Sequence, residues 1–336
     1  MRSRFWIRAA SLTWGLLLFG FTVFSSLDTF IIEHAYEAVE VQPMTIVQPE
    51  EETEETKETE MDIIAAAQEA EKTEAVEVVT TEPMEVVTTE PMEVVTTENS
   101  YSDGNITITI EEIRAYDSTI YVADVVLSSP EYLKTAFANS IYGRNITEKT
   151  STMANETSAI LAINGDYYGA RESGYVIRNG VLYRDKASKN AEDLVIYADG
   201  SFGIIEESQV SAQELLEAGA WNVLSFGPAL IEDGQIAVTA DQEVGKAMAS
   251  NPRTAIGIID ALHYVFVVSD GRTNSSAGLS LRELAQVLQN LGVKTAYNLD
   301  GGGSSTMVFM GQVVNNPTTN GKRISERSVS DIVYVA

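Results

Sequence analysis

The sequence predicts an α+β fold built on mixed, largely antiparallel sheets, with several hairpins and a few flanking helices. Two-residue turn pairs separate apolar-rich runs at three places, namely Asn179-Gly180, Asp199-Gly200 and Asp233-Gly234. These pairs tolerate the positive φ that a type I′ turn requires, so each predicts a hairpin. Many hairpins with a few segregated helices indicate the α+β class.

Further strands flank these hairpins. The stretch "TAIGIIDALHYVFVVSD" predicts a hairpin around Asp260-Ala261, and "TMVFMGQVVN" predicts a turn at Gly311-Gln312. Between them, "VKTAYNL" reads as a strand, because β-branched and aromatic residues recur in a short run.

Two helices are predicted from their caps. In "SLRELAQVLQNLG", Ser280 and Glu283 form a capping box and Gly292 supplies the C-terminal stop. An apolar stripe between them has helical spacing and consists of Leu281, Leu284, Ala285 and Leu288. The stretch "SAQELLEAG" repeats this design, and "SPEYLKTAFA" predicts a third helix starting near Pro130.

Residues 1–32 predict an N-terminal signal anchor. Arg2, Arg4 and Arg8 precede a mostly apolar run over residues 9–32, and a helix needs about 20 residues to span the hydrocarbon core. The arginines should stay cytoplasmic, which leaves the rest of the chain outside. A cleaved signal peptide is the alternative, but its apolar stretch is usually only about 7–15 residues long. "VFSS" is also a poor cleavage site, so the uncleaved anchor is favoured.

Residues 33–100 predict an extended acidic stalk. Residues 33–98 contain 20 acidic side chains against Lys57 and Lys72. The octapeptide "EVVTTEPM" begins at Glu77 and again at Glu85, and a partial copy begins at Glu93. High charge, few aromatics and recurring proline favour a self-repelling disordered tether over a packed domain.

Residues 101–336 predict the globular domain, and their composition excludes several function classes. The chain has no cysteine, which removes disulfides and thiolate metal sites, and His263 is the only histidine of the domain. A zinc site built on several histidines is therefore excluded. A Ser-His-Asp triad would need His263, which sits in the strand-like run "ALHYVFVV". The 17 basic and 28 acidic residues argue against nucleic acid as a partner.

The stretch "NLDGGGSSTM" places Asp300 beside three glycines and two hydroxyls, between two predicted strands. A plain flexible turn is one interpretation. The other is an anion-binding nest, in which the amides of Gly301, Gly302 and Gly303 point into one concavity and Ser304 and Ser305 add donors. It is not a Walker A loop, because no lysine follows and no helix pattern begins there.

Polar residues also recur at the ends of other predicted strands. They are Asn164 and Asp166 in "AINGDYYG", Arg253 in "NPRTAIGI", Asp270 and Arg272 in "VVSDGR", and Arg327 in "SERSVSDIVYV". Each alone is more typical of a loop salt bridge or an Asx turn. Together they predict one cleft at the ends of several strands, where loops commonly carry function.

Six segments resemble, in order, the phosphodiester glycosidase family. They are "AINGDYYG", "SFGPALIEDG", "NPRTAIGI", "VVSDGR", "LAQVLQNLGVKTAYNLDGGGSSTMV" and "RSVSDIVYV", and they cover most of residues 123–335. The animal enzyme of this family is disulfide-bonded, whereas this chain lacks cysteine, so the chain resembles the bacterial branch, which often occurs beside envelope-polysaccharide functions. The resemblance implies hydrolysis of a sugar-1-phosphodiester to a free sugar and a phosphomonoester.

The resemblance also implies roles for the strand-end residues. Arg253, Arg272 and Arg327 suit bidentate contacts to phosphate oxygens. The substrate-binding set is completed by Asn164, Gly301, Gly302, Gly303, Ser304 and Ser305. Asp166 and Asp300 are the candidates to assist at the anomeric carbon, with Asp270 as a third. Two carboxyls about 5–5.5 Å apart would imply retention of configuration, and about 6.5–9.5 Å would imply inversion.

The expected protein is thus an extracytoplasmic glycosidase-type hydrolase, held in the cell membrane by one N-terminal helix and acting on an envelope polysaccharide or its precursor. The alternative is a non-catalytic surface module that binds phosphorylated polysaccharide, and a second alternative is a phosphodiesterase that breaks O–P instead of C–O. No cofactor is predicted as a requirement, although aspartates and backbone oxygens suit Ca²⁺ or Mg²⁺.

Overall fold

A computed structural model describes residues 2–39, 94–244 and 250–336 of the chain. Most of the predicted stalk, including both complete octapeptides, lies outside the described residues. The described part holds four α-helices, α1 (Arg2–Phe30), α2 (Thr150–Glu156), α3 (Ala212–Glu217) and α4 (Leu281–Asn290). No helix among these residues is both long and apolar enough to cross a membrane. The predicted membrane span at residues 9–32 is therefore not supported.

Strands form most of the domain. In chain order they are β1 (His34–Ala35), β2 (Val95–Thr96), β3 (Ser100–Ser102), β4 (Ile106–Ala115), β5 (Ser118–Leu127), β6 (Leu133–Phe137), β7 (Gly143–Arg144), β8 (Leu161–Asn164), β9 (Val176–Arg178), β10 (Val181–Arg184), β11 (Glu192–Tyr197), β12 (Phe202–Glu206), β13 (Ala220–Leu224), β14 (Ala229–Glu232), β15 (Gln235–Ile236), β16 (Arg253–Asp260), β17 (His263–Ser269), β18 (Thr295–Asn298), β19 (Met307–Phe309), β20 (Gln312–Val313) and β21 (Asp331–Val335).

These strands form one large sheet, two five-stranded sheets and a two-stranded ribbon. The large sheet has the order β15-β14-β18-β16-β17-β5-β4-β3-β2. The other two have the orders β20-β19-β8-β21-β6 and β10-β9-β13-β11-β12, and β1 pairs with β7. The paired neighbours are antiparallel, so the predicted fold class is confirmed. All five predicted hairpins are present, because their turns are encoded locally. The last one turns at Met310-Gly311, one residue before the predicted pair.

The three larger sheets share one apolar core. Alternate residues of a strand point to opposite faces, and β17 shows this clearly. Phe266 faces the shared core with Ile163 of β8 and Leu194 of β11, whereas Val265 faces the other way. Each outer face is covered by a helix: α4 covers the large sheet, α2 the sheet of β8, and α3 the sheet of β11.

The helix predictions at Ser211 and Ser280 are confirmed, and both capping boxes are formed. The predicted helix near Pro130 is wrong. Residues Pro130–Tyr132 make one 3₁₀ turn, and β6 follows, because β6 pairs along its whole length with the C-terminal strand β21. A pairing partner about 200 residues away is invisible to local helix propensity.

The described part of the domain includes residues of the partial octapeptide repeat. Val95 and Thr96 of "EVVTTE" form β2, which pairs with Ser102 and Tyr101 of β3 at the edge of the large sheet. The predicted stalk boundary at residue 100 is therefore several residues too late. Upstream, β1 and Tyr36 pair with residues 142–144, so part of the stretch assigned to the stalk also lies on the domain.

Candidate active site

Several strands end at one rim of the domain, and the predicted site residues are found there. Asn164 ends β8 and lies opposite Ile332 near the start of β21. Arg253 begins β16 beside Ser269 at the end of β17. Asn298 ends β18 next to β16. The antiparallel register thus brings segments separated by up to about 170 positions to one edge.

Four guanidinium groups surround the main cavity, which has a volume of about 340 Å³. Its lining is Tyr167, Arg171, Phe226, Val244, Asn251, Arg253, Arg272, Asp300, Gly301, Gly302 and Arg327. The predicted arginines, the glycine run and Asp300 therefore do converge. In a chain with a net charge of −27, this concentration of arginines makes a local site for an anion.

Asp300 is the carboxylate that faces this cavity. Its Oδ2 accepts a 2.6 Å hydrogen bond from the Ser304 hydroxyl and a 2.9 Å bond from Nη2 of Arg327. Burial raises the pKa of Asp300, while the Arg327 charge and the Ser304 hydroxyl oppose that rise. A carboxyl whose pKa is raised by burial and lowered by a neighbouring charge is typical of acid–base or nucleophilic residues.

The three predicted arginines differ in how firmly they are held. Arg253 is 3% exposed, donates to the carbonyl of Leu279 and pairs with Glu243. Arg272 donates through Nε and Nη2 to Oδ1 of Asn251. Its pKa is lowered by burial and by the neighbouring charges of Arg327 and Arg253, which shows that like charges crowd here.

Arg327 contacts Asp300 and also lines the cavity. Its Nε and Nη2 donate to Ser304, while the side chain stays 42% exposed. Among the described residues, Nη1 of Arg327 has no protein acceptor. Arg327 can therefore hold Asp300 and contact a bound anion at the same time.

The glycine run is approached closely from three sides. A side chain at Gly301 would lie 2.9 Å from the carbonyl oxygen of Pro252, and one at Gly303 would lie 3.1 Å from Cα of Thr319. Gly302 has a φ of +64° and supports the guanidinium of Arg272. A plain flexible turn is therefore the wrong interpretation, since close approach is what glycine permits here.

The predicted anion nest is only partly available. The amides of Gly302, Ser304 and Ser305 donate to the carbonyls of Pro252, Gly301 and Gly302. Positive potential in the main cavity therefore comes mainly from the guanidinium groups. Ser304 binds Asp300 and Arg327, and Ser305 is fully buried and does not line the cavity.

A hydroxyl-rich cavity of about 250 Å³ adjoins the main one. Tyr167, Asp300 and Arg327 line both cavities. The remaining lining is Phe30, Asn145, Thr147, Asp166, Gly169, Ala170, Ser304, Ser328, Val329 and Ser330. On the opposite side, Arg171, Phe226 and Val244 separate the main cavity from a third hollow of about 610 Å³. The main cavity thus adjoins a second and a third hollow, with which it shares lining residues.

Asp166 lies at the hydroxyl-rich cavity, but its carboxylate is fully engaged. Oδ1 accepts the amide of Tyr168 at 2.8 Å, and Oδ2 accepts the amide of Ser225 and Nη2 of Arg178, each at 2.9 Å. Its side chain has no exposed surface. A carboxylate held by three donors is a poor nucleophile, so this geometry favours a supporting role over the predicted catalytic one.

Two other predicted residues support the site from behind. Asn164 is fully buried and its amide donates to the backbone carbonyl of Asp300 at 2.6 Å. Asp270 accepts hydrogen bonds from Asn315 and Asn316 and does not line these cavities. Both therefore position loops, and neither meets a substrate in the cavities.

Sequence reasoning missed Arg171, Phe226 and Asn251 in the lining, and the buried pair Arg178 and Asp331 behind it. "SFGP" and "SNPR" flank predicted strands as the chosen motifs do, so Phe226 and Asn251 carried a usable signal. Arg178 carried no such signal, because an arginine beside a hairpin turn is ordinarily expected to be exposed to solvent. Within the described ranges, no group of three or more His, Cys, Asp or Glu side chains is arranged to hold a metal ion.

Comparison with known proteins identifies the family of this chain. Residues 157–336 match the family model described as phosphodiester glycosidase, a family of glycosidase-type hydrolases. The chain therefore belongs to the phosphodiester glycosidase family.

The chain is similar to a prophage-derived uncharacterized protein YomE of Bacillus subtilis, with 30% identity over 59% of this chain and 31% of the relative. It is 27% identical to N-acetylglucosamine-1-phosphodiester alpha-N-acetylglucosaminidase of Mus musculus, over 47% of this chain and 33% of the mouse protein. The chain thus spans about a third of the length of these curated relatives.

Two solved structures share the fold. The catalytic domain of the zebrafish N-acetylglucosamine-1-phosphodiester alpha-N-acetylglucosaminidase, auto-inhibited by its pro-peptide, superimposes with a TM-score of 0.55 and 21% identity, over 69% of this chain and 82% of that one. A hypothetical protein from Synechocystis gives a TM-score of 0.52 and 18% identity, over 69% and 62% of the two chains.

Proposed function

We propose that this protein hydrolyses a sugar-1-phosphodiester, releasing the sugar and leaving a phosphomonoester. The observation that carries the proposal is the position of Asp300 and Arg327 in both the arginine-lined and the hydroxyl-rich cavity. The phosphate lies among Arg253, Arg272 and Arg327, and the sugar lies among the hydroxyls. The anomeric carbon, which joins the two groups, is then beside Asp300.

The residues suit the charge changes of this reaction. A phosphate leaving group departs as a stable anion, so the reaction depends more on positive potential than on proton donation. The guanidinium of Arg327 supplies that potential at the bond that breaks. Asp300 acts at the anomeric carbon, either as nucleophile or as base for water. Tyr167, which is 45% exposed, offers an aromatic face to the sugar.

The substrate we propose is an envelope polysaccharide or its precursor. The third hollow adjoins the main cavity at Arg171, Phe226 and Val244, and in this proposal it accommodates the group on the far side of the phosphate. The absence of cysteine supports the bacterial branch of the family, on which the envelope setting rests.

The test is release of sugar from UDP-GlcNAc and from a panel of GlcNAc-1-phosphate diesters by the purified full-length chain. We expect turnover by wild type and a loss of about 10²–10⁴-fold in Asp300→Asn. The matched control is Asp233→Asn in an exposed hairpin, which should keep the wild-type rate. Absence of release across the panel, or full activity of Asp300→Asn, would contradict the proposal.

The same experiment separates the alternatives. Binding of phosphorylated polysaccharide without turnover would favour a non-catalytic surface module. In ¹⁸O-labelled water, label in the released sugar indicates C–O cleavage, and label in the phosphate indicates O–P cleavage. We expect the label in the sugar, because Asp300 lies between the cavities assigned to sugar and phosphate.

We also propose that the domain is exported to the outer side of the cell membrane. Support comes from the order of Arg2, Arg4 and Arg8 followed by the apolar run of residues 9–32, because basic residues before an apolar stretch are typical of secretory signals. Cell fractionation with protease protection tests this, and recovery of the protein in the cytoplasm would contradict it.

A further inference from the structure

A buried ion cluster joins the two five-stranded sheets directly beneath the site. Arg178 ends β9, and its Nη2 lies 2.9 Å from Oδ2 of Asp166 and 2.8 Å from Oδ2 of Asp331. Asp166 follows β8 and Asp331 begins β21, so both aspartates belong to the other sheet. All three side chains are 2% exposed or less. An arginine buried this deeply must be compensated by charge, which ties the two sheets together at this point.

Asp166 also binds two loops of the site. It accepts the amide of Tyr168 in the loop after β8 and the amide of Ser225 in the loop after β13. One loop belongs to each sheet. Tyr167 and Arg171 on the first loop and Phe226 on the second form one wall of the main cavity.

The two loops also contact each other in the wall. The guanidinium of Arg171 lies 5.5 Å from the centre of the Phe226 ring, and its Nη1 donates to the carbonyl of Ser225 at 3.0 Å. These contacts require the loops to keep a fixed relative position. Of the contacts described here, the hydrogen bonds of Asp166 with the amides of Tyr168 and Ser225 are those that fix the two loops relative to each other on the buried side of the wall.

The two aspartates share Arg178 unequally. Oδ2 of Asp331 accepts hydrogen bonds from both Nε and Nη2 of Arg178, at 3.2 and 2.8 Å, while its Oδ1 is buried without a hydrogen-bond partner in the described structure. Asp166 accepts from Nη2 of Arg178 alone but has two amide donors besides. Burial and the nearby Asp166 charge raise the pKa of Asp331 to about 7. Of the two carboxylates only that of Asp166 accepts the loop amides of Tyr168 and Ser225, so the contact of Arg178 with Asp166 is the one that bears on the loops.

We propose that Arg178 is a positioning residue for the site. It fixes Asp166, and Asp166 holds one loop from each sheet so that Tyr167, Arg171 and Phe226 form a continuous wall. The proposal rests on the proposed function in one respect, namely that this wall contacts the substrate.

The test compares Arg178→Met, Arg178→Lys and Asp166→Asn with Asp331→Asn. The last variant is the matched control, because it disturbs the same buried cluster without removing either partner of the Arg178–Asp166 pair or the amide donors of Asp166. Three readouts are measured: hydrogen exchange of the Tyr168 and Ser225 amides without ligand, calorimetric binding of α-GlcNAc-1-phosphate, and kcat and KM on the diester panel.

We expect Arg178→Met and Asp166→Asn to weaken binding about tenfold and to lower kcat/KM by up to about 10²-fold, since a small misplacement of binding groups has that effect. The Tyr168 and Ser225 amides should exchange faster in both variants. Arg178→Lys should recover part of each loss, because it keeps the charge but not the planar fork. Asp331→Asn should stay close to wild type in all three readouts.

Equal losses in Asp331→Asn and Arg178→Met would overturn the proposal, since they would indicate a general structural role. Unchanged amide exchange in Arg178→Met and Asp166→Asn would also overturn it. If Arg178→Met does not fold, Arg178→Lys and Asp166→Asn decide the matter. A wild-type protein that shows no turnover contradicts the proposed function only, because amide exchange still tests the role of Arg178.

Discussion

Arg327 binds Asp300 and also lines the cavity. Substitutions can therefore test the effect of its charge separately from that of its two-point contacts. Arg327→Gln removes the positive charge that lowers the pKa of Asp300, and the pKa should rise further. We expect the limb of the pH–rate profile that belongs to Asp300 to move to higher pH by about one unit. The profile of kcat/KM measures this directly.

Arg327→Lys is the control for that experiment. It keeps the charge, so the limb should stay near its wild-type position, while the loss of two-point contact lowers kcat/KM. A limb that moves equally in both variants would show that the charge of Arg327 does not act on Asp300.

The sequence located most site residues but did not separate their roles. Asp166, Asp270 and Asp300 all follow strands in similar polar motifs, and the sequence offers no measure of which carboxylate is free. The structure distinguishes them through their donors: Asp166 has three, Asp270 holds Asn315 and Asn316, and Asp300 faces the cavities. Hydrogen bonds between residues distant in sequence decide this.

The glycine run acts as a structural element whose backbone is packed on both sides. In Gly303→Ala the new Cβ would lie 3.1 Å from Cα of Thr319, which is tighter than ordinary packing. We expect a loss of unfolding free energy of about 1–3 kcal/mol, as overpacking usually causes, together with lower activity because Ser304 and Asp300 adjoin the run. Urea denaturation and the sugar-release assay measure the two effects.

Gly234→Ala provides the comparison. Gly234, unlike Gly303, has a positive φ, and its Cβ would meet nothing within 4 Å. Only backbone strain of about 1 kcal/mol is expected there, and activity should be retained. Equal effects of the two substitutions on activity would argue against close packing at Gly303.

The cap of α4 gives a prediction at the scale of a helix. Ser280 accepts the amide of Glu283, and Glu283 in return accepts the amide of Ser280. Ser280→Ala should lower the free energy of unfolding by about 1 kcal/mol, with kcat unchanged. Thermal unfolding measures the loss, and Ser208→Ala in an exposed turn is the control.

Local elements were predictable and distant pairings were not. The hairpin at Asn179-Gly180 and the helix at Ser280 follow from residues within a few positions of each other. The strand β6 was missed because its partner β21 lies at the far end of the chain. The sequence predicts turns and caps well for that reason, and it leaves the order of strands in each sheet open.

At the scale of the whole molecule, buried carboxyls should make stability depend on pH. The pKa of Asp331 is raised to about 7, above its value of about 3.9 in an unfolded chain. The folded state therefore holds the proton more tightly. The resulting contribution of Asp331 to the free energy of unfolding is fully present below about pH 4 and is lost as pH rises through about 7.

We expect the free energy of unfolding to decrease between pH 4 and pH 8 by an amount of order a few kcal/mol. Asp331→Asn should flatten this dependence, although Asp193, whose pKa is also raised by burial, keeps part of it. Asp233→Asn should retain the wild-type slope. Denaturation series at several pH values decide the matter, and an unchanged slope in Asp331→Asn would be the contrary result.

The position of β2 has a consequence for how this gene can change length. The last, incomplete copy of "EVVTTE" supplies Val95 and Thr96 to the sheet, and the two preceding copies have the same letters. Adding or deleting a whole eight-residue unit upstream leaves an identical edge strand at the start of the domain. A change in the number of these units would therefore alter the number of residues before β2 without altering the sequence of that strand.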